Sequence, residues 1–348
     1  MKFSSNIVSA IRFVINQPLS ILRLLLPILI GKKLISELRF VSELIGAPDY
    51  QLAKTWFTSM LPDSLFIFDA STTATYHSLI IMATIGASIG LLGRLNMVIL
   101  AFFSFFLYGI GEGIGIFDHH VSLPTQVLLA LALVPGSMKL SIDYILLKYF
   151  YKNNNIGFGK KPKWGLNLIL MLVALTYFSA GLSKLRYGHG IHWMDGATLG
   201  FYLNERTSLY KQGDIQLIIG DSEITEEEKW KDKFGFIGHT YANYQTAPKF
   251  IAISGYIANS KSLLMLLAIG SVMFELLAFI IFINSKYRNI YLISAILFHI
   301  SIGTLMGISF RQYQLICFCL LDWNLIFDYI ISKLKQVKYL IYSKLQTI

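Results

Sequence analysis

From Trp164 to Ser183 the chain runs for twenty residues without a charged side chain. A helix of about twenty apolar residues crosses the ~30 Å hydrocarbon core of a bilayer. No water reaches that core, so each backbone N–H and C=O must be satisfied within the segment, as a helix does. Runs of the same kind recur along the whole chain. Composition agrees: 55% of the residues are hydrophobic and 14% are charged, where a soluble chain carries about a quarter charged. The expected fold class is all-α, a polytopic integral membrane helical bundle.

The runs predict about eight transmembrane helices, over 19–38, 74–92, 95–113, 124–147, 164–183, 262–284, 289–308 and 313–331. Pro135-Gly136 predicts a kink in the fourth. Residues 1–18 read as an interfacial helix, with Ile7, Ile11 and Val14 on one side and Lys2 and Arg12 for headgroups. Residues 39–73 read as a surface loop with a short amphipathic helix. The formal net charge of +10 sets orientation here rather than nucleic-acid binding. With the lysine-rich 148–163 loop in the cytoplasm, alternation also puts Arg94, Lys286, Arg288 and the 332–348 tail inside. Lys32 and Lys33 dissent. Both termini are then cytoplasmic, and the 184–261 segment is extracytoplasmic. No secretory signal, fixed-period repeat or domain linker is visible, so 1–348 reads as a single transmembrane domain. The expected setting is the cell (inner) membrane, multi-pass, with the lipid bilayer as partner.

A few polar residues stand out against this background. Lys184 closes the fifth span, and Tyr177 and Gly181 share its helix face at spacings of three and four. It reads either as a boundary lysine snorkelling to water or as an amine whose partial burial frees a base. Glu275 sits mid-span in the sixth run, where an ionised carboxylate must be protonated, paired or packed against another helix. Structural glue and a proton site are both open, and Arg23, itself mid-span, is an available partner. His299 lies in the seventh span with Ala295 and Gly303 on its face. It is either a histidine satisfied by a carbonyl or a contact for a quinone or substrate. Asp118-His119-His120 precedes the fourth span, on the same membrane side as Lys184. Adjacent histidines diverge, so no metal is expected there. Cys317 and Cys319 point apart on a helix and predict no disulfide. Glu226-Glu227-Glu228 reads as a solvated helix start. No nucleotide loop or hydrolase triad is present.

Tyr177-Phe178, Ala180-Gly181, Lys184-Leu185, Trp193 and Gly196 resemble the signature of the HTTM (horizontally transferred transmembrane) family, bacterial relatives of vitamin K-dependent gamma-carboxylase. Phe298-His299 and Gly307-Ile308-Ser309-Phe310 are similar to its late helix, and Glu275 to an acidic residue of its sixth span. The likeness runs through most of the chain and is specific around 177–196. It implies carboxylase- or epoxidase-like chemistry: Lys184 as the base for a reduced menaquinone or vitamin K-type quinone, His120 steadying a carbanion, and His299, Tyr177, Glu275, Trp193 and Arg23 about the pocket. Ser183 and Arg186 depart from the pattern, five extra residues separate Lys184 from Trp193, and no large extracytoplasmic domain follows the eighth span. Carboxylation of a propeptide-bearing substrate is therefore not expected, while base chemistry on a quinol stays open. The family also implies an alternative, an accessory role in maturing an exported, toxin-type peptide. A third class is non-enzymatic: a lipid-binding or scaffold protein whose buried charges only join helices.

Overall fold

A computed structural model describes residues 5–46, 54–113, 121–151, 163–187, 190–200, 202–204 and 246–346. Among them there are helices and turns and no strand. In chain order the helices are α1 Ser5–Ile15, α2 Pro18–Ile45, α3 Ala70–Ile89, α4 Gly93–Gly113, α5 Ser122–Leu133, α6 Ile142–Tyr151 and α7 Lys163–Tyr187. There follow α8 Ile251–Ala258, α9 Lys261–Leu276, α10 Ser285–Met306, α11 Arg311–Leu320 and α12 Trp323–Gln346. A 3-10 turn, Leu277–Phe282, extends α9. His120 and the 205–245 stretch, with Glu226 to Glu228, lie outside the described residues.

Among the described residues four helices are long and apolar enough to cross a membrane: Gly93–Gly113, Trp164–Arg186, Lys261–Phe282 and Ser285–Met306. The number rises to six if each of two bent pairs, α1–α2 and α11–α12, is one span. Their outward faces carry leucine, isoleucine and phenylalanine, including Leu266, Ile290 and Leu297. An apolar surface of that extent is stable against lipid and not against water. The chain is a membrane-embedded, multi-pass helical protein.

Helix α2 is the hub. It packs on α3, α4, α5 and α11, burying Leu22, Leu26, Leu34, Leu38 and Val41. It runs past the expected end at residue 38, because those apolar positions keep their register to Val41. The 54–69 stretch is not a free loop either. Phe66 is buried and stacks edge-on with Phe106, and the Tyr76 hydroxyl donates to the Leu65 carbonyl at 2.9 Å.

The run expected as a fourth span is broken rather than kinked. Helix α5 stops at Leu133 and a 3-10 turn, Pro135–Leu140, leads to α6. Pro135 has no N–H to offer Leu131, and its ring crowds that carbonyl. The Ser137 hydroxyl replaces the missing donor, at 2.7 Å from both Leu131 O and Val134 O. Arg23 completes the repair: its guanidinium, fully buried, donates to Ser137 O and Leu140 O and to the last-turn carbonyls Ala87 O and Ser88 O of α3, at 2.5–3.2 Å. The run expected as an eighth span is also two helices rather than one, turning through 68° between α11 and α12. Asp322 begins the second piece, accepting from the Leu325 N–H at 3.3 Å, as N-cap residues do.

Candidate functional site

The far end of α7 meets α9 at Gly181. A methyl group there would lie 3.1 Å from the Glu275 Cβ and 3.2 Å from Leu276, tight enough that α9 would have to give by a few tenths of an ångström. The approach brings the Lys184 ammonium onto Glu275, forming an ion pair through Oε1. The Lys184 side chain is 23% exposed and that of Glu275 is 5% exposed. The indole of Trp193 caps the pair, with the Lys184 nitrogen 5.0 Å from the ring centre, within cation–π range. Trp193 is placed by the turn Gly190–Asp195 and by Gly196 behind it. At φ +83°, Gly196 lies against the α9 backbone, where a Cβ would come within 2.7 Å of Met265 N.

Two helical turns deeper, about 10 Å along α7, lies a second polar cluster. The Tyr177 hydroxyl is 2.6 Å from His299 Nε2 and 3.9 Å from Cys317 Sγ. A phenol is a better donor than an imidazole N–H, so Tyr177 donates, and His299 is the Nδ1–H tautomer. Rings enclose it. Tyr177 meets Phe274 and Tyr291 edge-on at 5.7 and 5.8 Å. Phe274 and Tyr291 stack at 4.6 Å, and Phe310 lies 4.6 Å from the imidazole. Phe274 precedes Glu275, so the aromatic box and the ion pair adjoin.

The two clusters share one property. Glu275 Oε2, Ser271 Oγ, Tyr291 Oη and His299 Nδ1 are buried with no hydrogen-bond partner among the described residues. A buried polar group left unsatisfied costs about 1–3 kcal/mol. Four of them along one interface between α7, α9 and α10 are what a polar ligand would satisfy.

Of the residues expected at the site, Lys184, Tyr177, Glu275, His299 and Trp193 come together in this pair of clusters. Arg23 does not: its partner is not Glu275 but the broken backbone at the other end of the bundle. Cys317, Tyr291 and Phe274 belong to the site and carry no individual sequence signal. Their only trace is the density of aromatic residues at 274, 291 and 298. No group of three or more metal-ligating side chains occurs among the described residues. A cavity of about 280 Å³ lies elsewhere, lined by Leu166 at the start of α7, eighteen residues or about 27 Å of helix from Lys184.

No family model, curated protein or solved structure matches the chain. What the fold and the site define is a class: a multi-pass helical membrane protein with a buried lysine–carboxylate pair beside a tyrosine–histidine pair.

Proposed function

We propose that the chain is a membrane enzyme of the HTTM type, similar to vitamin K-dependent gamma-carboxylase, that removes a proton from a reduced quinone at the Lys184–Glu275 pair. An eight-pass arrangement with both termini cytoplasmic belongs to this reading. Helices α3 and α5 supply the two passes beyond six. Seven of the first eight residues of α3 after Ala70 are serine, threonine, histidine or alanine, and α5 has only 12 residues, which is why neither is long and apolar enough to count as a span on its own.

The observation that carries the proposal is the unequal state of the two Glu275 oxygens. Oε1 is taken by Lys184, while Oε2 is buried and bare. An ammonium that already holds its proton is no base. The accepting atom is then Glu275 Oε2, and Lys184 stabilises the charge that Glu275 carries before the transfer. The unpaired groups supply hydrogen-bonding partners of the kind a ring with two oxygens needs. His299 Nδ1–H and Tyr291 Oη would hold one oxygen, Glu275 Oε2 would face the other, and Phe274 offers a stacking surface. A reduced menaquinone-type ring supplies, when bound, an acidic hydroxyl and electrons for oxygen. Tyr177 orients the imidazole.

The test uses purified full-length protein with a reduced naphthoquinone and oxygen, scoring the quinone epoxide by chromatography and bound quinone in a lipid extract. Wild type is expected to yield both, and Lys184→Met and Glu275→Gln to lose the epoxide while still inserting and folding. Turnover that survives either substitution in folded protein removes the proposal. A second reading, a lipid-binding scaffold, is favoured by the position of the 280 Å³ cavity, which neither Lys184 nor His299 lines. It predicts that both variants lose stability and that wild type makes no epoxide.

A further inference from the structure

The 280 Å³ cavity sits where both bent helix pairs turn. Helix α1 meets α2 at 70° and α12 leaves α11 at 68°, so α1 and α12 form a shelf across one end of the bundle. The shelf is tied together by the Arg12–Asp328 ion pair at 2.7 Å and by the Asn324 to Asn16 hydrogen bond at 3.0 Å. Its outer side shows Ile7, Phe13 and Val14. An amphipathic element lying crosswise at the end of a spanning bundle marks the headgroup layer, and Trp323 at the rim of the cavity is the residue type enriched there. The same end carries Arg94, at the start of α4, and Lys286 and Arg288, at the start of α10.

The cavity wall holds one cation and one anion. Arg288 contributes a guanidinium whose Nε donates weakly to Ile281 O at 3.4 Å. Asp322 contributes a carboxylate of which one oxygen serves the Leu325 N–H. They form no ion pair with each other, nor does either with another described residue. Gln17, at the junction of α1 and α2, is 5% exposed, lines the same cavity, and has a carboxamide that makes no side-chain hydrogen bond among the described residues. The Asp322 backbone is held independently, its N–H donating to Asn289 Oδ1 at 2.7 Å. The carboxylate is thus fixed in place. Leu166 and Leu320 give the cavity an apolar side.

Opposite charges that share a small cavity without meeting call for a ligand carrying both signs. We infer that this cavity binds the headgroup of a zwitterionic phospholipid with a primary ammonium, its phosphate on Arg288 and its ammonium on Asp322, with Gln17 hydrogen-bonded to the same headgroup. A purely anionic headgroup would face Asp322. A trimethylated headgroup has no N–H to give that carboxylate. This site is separate from the Lys184–Glu275 pair, and either reading stands if the other fails.

The test is native mass spectrometry of the full-length protein in mild detergent, titrated with phosphatidylethanolamine, phosphatidylglycerol or phosphatidylcholine, and separately with soluble glycerophosphoethanolamine. Wild type is expected to prefer phosphatidylethanolamine to each of the other lipids by about tenfold, the contribution of one charge-assisted hydrogen bond. The soluble headgroup should bind much more weakly. Asp322→Asn should bring phosphatidylethanolamine and phosphatidylglycerol to equal binding, and Arg288→Gln should weaken both. Melting of each variant in phosphatidylcholine alone checks that it is folded. Equal binding of all three lipids to wild type overturns the inference, and needs no variant. So does an unchanged preference in folded Asp322→Asn, and soluble headgroup binding as tightly as the lipid would overturn the lipid assignment.

Discussion

A double-mutant cycle on Lys184 and Glu275 tests the ion pair most directly, and the two single substitutions should not cost the same. Lys184→Met leaves a carboxylate that is 5% exposed with both oxygens bare, since Oε2 has no partner to begin with. Stranding one member of a buried pair costs about 3–5 kcal/mol. Glu275→Gln leaves an ammonium that is 23% exposed and close to the end of α7, so it can turn toward water and headgroups on its flexible stem. The amide oxygen also remains an acceptor, and the expected cost is about 1–2 kcal/mol. The double variant buries no charge and should be about 2 kcal/mol more stable than the two costs added together. Reversible unfolding in mixed micelles, followed by circular dichroism, reads all four corners. Additivity to within about 0.5 kcal/mol, or a larger cost for Glu275→Gln than for Lys184→Met, would refute the pairing and the unequal burial on which it rests.

Arg23→Met removes the donors to four buried carbonyls and should cost at least about 3 kcal/mol. Arg23→Lys, without the planar fork, should recover only part of it in the same unfolding assay. Tyr177→Phe deprives His299 Nε2 of the donor it has among the described residues and should destabilise by about 1–3 kcal/mol, and the downfield NMR resonance of the Tyr177 hydroxyl proton, the mark of that hydrogen bond, should be absent from the variant. The hydrogen bond and charge of Lys54 hold the Asp63 carboxyl below the usual aspartate range. A carboxyl lowered on folding stabilises fully above that range, and loses its effect as pH falls through the lower folded value. Hydrogen exchange over residues 54–69, corrected for intrinsic rate, should therefore quicken below about pH 4 in wild type and show no such step in Asp63→Asn.

The helices were legible because a bilayer imposes one simple requirement, a long apolar run, and the runs ending at Lys184 and beginning near Lys261 and Lys286 met it. The shared face of Tyr177, Gly181 and Lys184 followed from helical spacing, and in the structure all three meet α9. Breaks were harder to see. Pro135 marked a disturbance, but a kinked helix and a full 3-10 break have the same local sequence. The difference lies in Ser137 and in an arginine more than a hundred positions away. The turn at Leu321–Asp322 had no proline or glycine to mark it. Partner choice was the least visible. Arg23 and Glu275 are both mid-span ions of opposite sign, so pairing them was chemically sensible. It failed because Arg23 enters α2 near one end of the bundle, while Glu275 lies opposite Gly181 near the other.

Arg23 also bears on how the protein is made. It leaves the ribosome 64 residues before Ala87 and 117 before Leu140, and a bare guanidinium in hydrocarbon is expensive. Helix α2 therefore gains the full set of partners for that charge only once the turn after α5 has been synthesised, which couples its settling to that of α3 and of the turn.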